Sequence, residues 1–254
     1  MEEFNVRGKD KDIIFIVLGL ILVIGVFVYA YWYFNIRNIE LKFTEIDNFQ
    51  FVGDTNKEVE FSEDIGLNLK EEAAALAVKY NDVKGWFKVP GTSIDYPVFQ
   101  SSDNNRYLRH NRDNVNDMWG ELLLDYRNNV NNMYDMKNFI IYGHNTEEDS
   151  WFTPLLNYRS KEFFDNHKYI EFSTINDNYK WEIFTVYLTT TDFFYIDTVF
   201  KDKNEYYDFL TTCKNKSLYD TGVSISKDDT ILTLTTCEYS KVNGRFVVQA
   251  KLVR

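Results

Sequence analysis

Residues 230–253 read TILTLTTCEYSKVNGRFVVQAKLV. Two runs rich in Thr, Ile, Leu and Val flank the polar connection EYSKVNG, and the β-branched Thr, Ile and Val favour the pleated, half-buried surface of a strand. The stretch predicts two strands joined as a hairpin. Cys237 ends the first strand and is followed by the polar Glu238, Tyr239 and Ser240, which sets it where a barrel wall opens to solvent. Arg245 begins the second strand, so hairpin pairing brings it roughly opposite Cys237.

The same texture extends upstream to Gly85. The runs GWFKVPGTSIDYPVFQ, ELLLDY, NFIIYG, YIEFST and YKWEIFTVYLTTT are separated by clusters of Asn, Asp and Gly, and with the hairpin they make at least seven readable strands. Helical interruptions fit residues 151–166 and 204–215, the latter with Tyr206, Phe209 and Leu210 on one face. There is no internal repeat and no regular strand–helix alternation, which argues against a solenoid or a doubly wound parallel sheet. The expected fold class is mainly β with inserted helices, a mixed and mostly antiparallel barrel.

Upstream of the barrel, residues 13–34, IIFIVLGLILVIGVFVYAYWYF, run for 22 positions without a charge. At about 1.5 Å per residue this crosses a hydrocarbon core of roughly 30 Å. Tyr29, Tyr31, Trp32 and Tyr33 crowd its C-terminal end, where amphipathic rings favour the headgroup layer. A cleaved signal peptide is the alternative, but the run is longer than the usual apolar core and no small-x-small site follows it. Arg7, Lys9 and Lys11 precede the span and only Arg37 and Lys42 closely follow, so the positive-inside rule favours an inside N-terminus. The expected organisation is a cytoplasmic tail at 1–12, a transmembrane anchor at 13–34, a helical segment at 35–84 and a β-barrel domain at 85–254 on the outer face. Within 35–84, IRNIELKFTEIDNF and LKEEAAALAVKYND read as helices separated by a polar loop at 53–64.

The chain of 254 residues carries 39 acidic against 28 basic side chains, with 44% hydrophobic and 17% aromatic residues and few Pro or Gly. That composition can bury a sizeable core and excludes a disordered or fibrous chain. The acidic balance leaves no basic stripe for phosphates, so no nucleic-acid partner is expected. Two cysteines make neither a disulfide framework nor a four-ligand zinc site, and HExxH, paired CxxC and calcium-loop spacings are missing, so neither a metal nor a cofactor is expected.

A lone Cys is by default a small buried hydrophobe, and Cys213 in an amphipathic helical stretch fits that description. Cys237 differs in its polar, strand-end setting. A guanidinium opposite it could lower the thiol pKa and stabilise an oxyanion, although an Arg that opens a strand is also an ordinary surface ion-pair residue. His144 follows the strand NFIIYG and precedes the polar loop NTEEDS, a second strand end, whereas His110 and His167 lie in polar segments that read as exposed. Cys, His and Arg at three strand ends point to a cysteine transferase or hydrolase with the imidazole as proton donor and acceptor.

TLTTC at 233–237 resembles the TLxTC signature of sortases, the membrane-anchored cysteine transpeptidases of Gram-positive bacteria. IYGHN is similar to their histidine segment and NGRFVVQAKLV to their arginine strand. The N-terminal helices, WFKVPGTSIDYPVFQ, LLLDYRN and the long insert with a helix before the cysteine strand are most similar to class B, over about residues 65–254. The resemblance implies an eight-stranded sortase barrel with His144, Cys237 and Arg245 as its triad. It also implies a substrate groove at Asn104 and Leu108 on the turn NNRYL, Thr191, Tyr195 and Ile196 in TDFFYI, and Thr235. The implied reaction is attack by the Cys237 thiolate after Thr in a sorting signal of the NPxTN or PxTG kind. Arg245 and backbone N–H groups near Glu238 hold the oxyanion, His144 protonates the leaving amine, and an amine of a cell-wall peptide or a pilin resolves the thioacyl enzyme. The implied partners are surface proteins with a C-terminal sorting signal, that acceptor amine, and the membrane through the N-terminal helix.

Two rivals remain at this level. In a papain-like cysteine peptidase the Cys opens a helix and precedes the His, and here His144 precedes Cys237. A catalytically inert, membrane-tethered binding domain would keep the barrel without the chemistry, and the reactivity of Cys237 distinguishes it.

Overall fold

The computed structural model describes residues 65–253, Glu147 excepted. The expected tail, the membrane span at 13–34, the first expected helix and the polar loop at 53–64 lie outside those residues. Among the described residues no helix is long and apolar enough to cross a membrane.

The phrase GWFKVPGTSIDYPVFQ holds two strands, β1 (Val83–Lys88) and β2 (Asp95–Phe99). The turn between them is closed by Thr92 N–H to Val89 O at 3.1 Å and Val89 N–H to Ile94 O at 3.0 Å, with Gly91 at φ +80°. Glycine reaches that left-handed region without a Cβ penalty. The remaining strands are β3 (Leu122–Leu124), β4 (Asn138–Tyr142), β5 (Tyr169–Thr174), β6 (Lys180–Thr190), β7 (Ile231–Cys237) and β8 (Gly244–Leu252). They close a barrel in the order β1-β2-β3-β4-β7-β8-β6-β5. Only the β2–β3 and β4–β7 interfaces are parallel.

Side-chain alternation along β7 separates two packed layers. Leu232 and Leu234 enter the barrel interior with Phe87, Phe139, Phe172, Trp181 and Phe246, whereas Ile231 packs outside against Phe184, Tyr206 and Leu210. Each such side chain contributes about 1.5–3 kcal/mol on leaving water. Cys237 shares the outward parity of Ile231, so the same alternation that fills the core turns its thiol out of it.

Helix α1 (Ile65–Lys79) buries Leu69 and Ala73 and packs against β1 and β5. It ends before the expected Tyr80–Asn81–Asp82, where Val83 N–H returns to Tyr80 O at 3.1 Å and begins β1. A single turn, α2 (Arg106–Arg109), follows β2. The interruption expected over 151–166 is two elements, a 3₁₀ helix (Thr153–Arg159) and α3 (Lys161–Asn166). Ser160 divides them because it is extended and its hydroxyl caps Phe163 N–H at 3.3 Å. Helix α4 (Lys203–Asn215) is capped by the Asp202 carboxylate, which accepts from Asn204 and Glu205 N–H, a cap worth about 1 kcal/mol. It buries Tyr206, Leu210 and Cys213 against the outside of the barrel. His110 and His167, expected to be exposed, are half-buried. Each sets Nδ1 on the carbonyl four residues back, at 3.2 Å from Arg106 O and 2.8 Å from Phe163 O.

Candidate active site

In the parallel β4–β7 pair, Tyr142 lies opposite Thr235. His144 and Cys237 each lie two residues further on, and so emerge side by side at one end of the barrel. The antiparallel β7–β8 pair then sets Arg245 directly opposite Cys237. Gly143 makes the exit from β4 possible, since its N–H reaches Thr235 O at 3.3 Å and an added Cβ would meet Leu122 and Phe152 at 2.6 Å. Asn145 ties the two strand ends together, donating its side-chain amide to Cys237 O at 3.0 Å, and its own carbonyl accepts the Tyr239 hydroxyl at 2.9 Å.

His144 Nε2 lies 2.9 Å from Leu108 O. A carbonyl only accepts, so that nitrogen carries a proton and Nδ1 is left as the basic atom of the neutral ring. The Trp119 ring meets the imidazole edge to face at 6.0 Å. Arg245 Nη1 donates to Gly244 O at 2.8 Å, and Glu238 N–H donates to the same carbonyl at 3.0 Å. Of the backbone N–H groups near Glu238 that were expected to hold an oxyanion, that of Glu238 itself is engaged by the hairpin ladder. Arg245 is the cross-strand partner of Cys237 and lines one cavity with it. The Glu238 carboxylate turns away to Arg159 Nη2 and Ser240 Oγ, both at 2.6 Å. Burial alone would raise its pKa, but the hydrogen bonds from Ser240 and Arg159 hold it below the usual carboxylate range.

A cavity of about 540 Å³ runs from this strand end across the barrel surface, and it is lined by all nine residues singled out above. Asn104 and Leu108, just before and within α2, form one wall. Thr191, Tyr195 and Ile196, with Phe193 and Phe194, form the other, which the β6–α4 connection supplies. Thr235 lies on the floor, 3% exposed, its hydroxyl 2.8 Å from the Tyr195 hydroxyl. Burial raises the Tyr195 phenol above its ordinary value.

Cys213 stands apart from this cavity. It is fully buried beneath α4, where the Tyr187 hydroxyl donates to Sγ at 3.7 Å, and burial pushes its thiol up to about 11. At neutral pH it is a protonated core side chain and a poor nucleophile. Among the described residues no cluster of His, Cys, Asp or Glu could hold a metal ion.

Several residues in or beside the cavity escaped the sequence reading. Tyr142 and Gly143 lie within IYGHN, and Asn145 follows the histidine directly, so their proximity to it was readable although their contacts were not. Phe193 and Phe194 sit inside the quoted TDFFYI, where exposed and groove-facing aromatics look alike. Asp125 and Arg127 lie in LLLDYRN, and their joint role depends on a partner 69 residues away, the Ile196 carbonyl.

The sortase domain family matches residues 87–253. Sortase B of Listeria monocytogenes is 38% identical over 239 residues, 92% of this chain and 94% of that protein. Among solved structures, a Staphylococcus aureus sortase B–substrate complex superposes with a TM-score of 0.68 at 34% identity, covering 73% of this chain and 86% of the other. Clostridium perfringens sortase B gives a TM-score of 0.67 at 35% identity, with 71% and 98% covered.

Proposed function

The chain belongs to the sortase family of cysteine transpeptidases, with class B relatives, and on that premise we propose that Cys237, His144 and Arg245 carry the reaction while Asn104, Leu108, Thr191, Tyr195, Ile196 and Thr235 hold the acyl donor. The donor is a surface protein with a C-terminal sorting signal of the NPxTN or PxTG kind, laid along the groove. The Cys237 thiolate forms a C–S bond to the carbonyl carbon of the Thr, and the displaced electron pair rests on an oxyanion beside the Arg245 guanidinium. Collapse breaks the C–N bond as protonated His144 gives its proton to the leaving amine. An amine of a cell-wall peptide or a pilin then attacks the thioester, passes a proton to His144 and returns the thiolate.

The domain plan that suits this task is a cytoplasmic tail at 1–12, a membrane anchor at 13–34, a helical segment at 35–84 and the catalytic barrel at 85–254 outside a single-pass membrane. A tether of this kind keeps the cysteine near substrates that arrive at the membrane surface.

The observation that carries the reading is the meeting of nine residues, drawn from distant chain segments, on one cavity that ends at a thiol, an imidazole and a guanidinium. The test incubates the chain lacking residues 1–34 with a panel of sorting peptides, with and without an amine acceptor, and follows Cys237 by intact-mass spectrometry. A thioacyl adduct on Cys237, absent in Cys237→Ala and discharged faster by amine than by water, is expected. No adduct with any peptide, together with alkylation of Cys237 no faster than that of a free thiol, would instead indicate the inert binding domain.

A further inference from the structure

Outside the reacting groups, the most heavily bonded side chain near the cavity is a carboxylate that does not touch it. Asp125 lies just past β3 and is fully buried. Its Oδ1 accepts Arg127 N–H at 3.0 Å and Arg127 Nε at 2.8 Å. Its Oδ2 accepts Arg127 Nη2 at 2.8 Å, Tyr142 Oη at 2.8 Å and Asn104 Nδ2 at 2.9 Å. Burial opposes this charge, and the hydrogen bonds from Arg127, Tyr142 and Asn104 overcome it and hold the carboxyl below its ordinary range.

The partners of this pair lie on three different parts of the groove. Asn104 belongs to the first wall, and its Oδ1 also accepts Tyr126 N–H at 3.0 Å, so its amide is oriented from both ends. Tyr142 is on the floor, two residues before His144. Arg127 Nη2, already on Asp125, donates at 2.9 Å to the carbonyl of Ile196 in the opposite wall. Asn138 supports the same wall one residue later, donating to Asp197 O at 2.9 Å. The β6–α4 connection has no strand partner over residues 193–200, so side-chain contacts of this sort decide where its backbone rests.

We propose that Asp125 and Arg127 are positioning residues that clasp the two walls of the groove at the spacing an extended acyl donor needs. The proposal rests on the reading of this cavity as the acyl-donor groove. A planar guanidinium suits the task because it can bond a carboxylate at two atoms and still present an N–H to a third acceptor, which an ammonium cannot do in the same geometry. A buried ion pair adds little net stability over apolar packing, so its use here is directional.

The test uses Arg127→Lys and Asp125→Asn in the full-length chain, held in detergent beside the parent protein. Three measurements are made on each: amide hydrogen exchange over 193–197, KM and kcat for a cleaved sorting peptide, and the rate of Cys237 alkylation by iodoacetamide, which does not need the groove. Expected for Arg127→Lys are exchange over 193–197 faster by about tenfold or more and KM raised about tenfold with kcat changed far less. Its alkylation should match the parent protein. Unchanged exchange and KM in the folded variant overturn the clasp, and so does an alkylation rate that falls in step with peptide turnover, which would mark general damage to the site. If Asp125→Asn does not fold, Arg127→Lys keeps a cation beside the carboxylate and decides alone. If the parent protein cleaves no sorting peptide, the functional reading fails, and the exchange measurement still judges the clasp.

Discussion

Cys237 and Arg245 are direct partners across the β7–β8 ladder, and the Arg245 guanidinium is held at its own strand end by the Gly244 carbonyl at 2.8 Å. Side chains directly opposite in an antiparallel pair share one face of the sheet. If the fork of the guanidinium stabilises the oxyanion, Lys keeps the charge without the geometry. Arg245→Lys should then lose acylation rate by roughly 10²- to 10³-fold, the usual effect of removing an oxyanion donor, with peptide binding much less affected. Single-turnover acylation measures this, and near-parental rates in Arg245→Lys would reduce its part to charge balance.

Cys213 and Cys237 separate by environment. Replacing Cys213 with Ala removes a buried sulfur and leaves the Tyr187 hydroxyl without its partner, a cost of about 1–3 kcal/mol in stability with turnover kept. Cys237→Ala should fold normally and be inactive. Urea unfolding alongside peptide turnover checks both, and equal loss of activity in the two folded variants would refute the assignment.

The raised Cys213 thiol also gives a pH signature. Its folded pKa of about 11 lies above its ordinary 9.0, so its contribution to stability is complete below 9.0 and is lost as pH rises towards 11. In that window the parent protein should lose more stability than Cys213→Ala. Native alkylation near pH 8 should modify one cysteine and denatured alkylation two. Two equally fast native sites would contradict the burial of Cys213.

Glu238 has the opposite sign. Its folded pKa is below the ordinary 4.5, so the carboxylate stabilises the fold above that value, and the contribution disappears as pH falls through the folded pKa. Glu238→Gln should be less stable than the parent protein at pH 7, and the gap should close in acid. Denaturation at a series of pH values down to about 3 tests this, and a gap independent of pH would remove the carboxylate from the stability of the hairpin.

The apolar run at 13–34 suggests that anchoring and chemistry are separable. Deleting residues 1–34 should leave a soluble protein with full activity on short peptides. A folded deletion product that cleaves no peptide, beside full-length protein in detergent that does, would show that the N-terminal segment takes part in catalysis.

The strands, the hairpin and the three strand-end residues were legible because they rest on local physics. β-branched runs and the polar connection after Cys237 each act within a few residues, whereas the turn at Gly91 that splits GWFKVPGTSIDYPVFQ into two strands was not read. The division of residues 151–166 into two helices was not legible, since it turns on whether Ser160 spends its hydroxyl on a helix cap or on solvent. The engagement of Glu238 N–H was likewise hidden, because it depends on how tightly the hairpin closes over Gly244.

By itself the sequence determined that this chain is a strand-rich body with a thiol and a guanidinium facing each other across a hairpin, because strand pairing over a short connection is a local event. The resemblance grouped His144 with them, but only the tertiary structure decided how it reaches them. That meeting needs β4 to lie parallel to β7 with Tyr142 against Thr235, 93 positions further along the chain. A parallel pair can be joined only by a long crossover, and its register follows from packing both faces of β7 at once, a condition that no short stretch of residues contains.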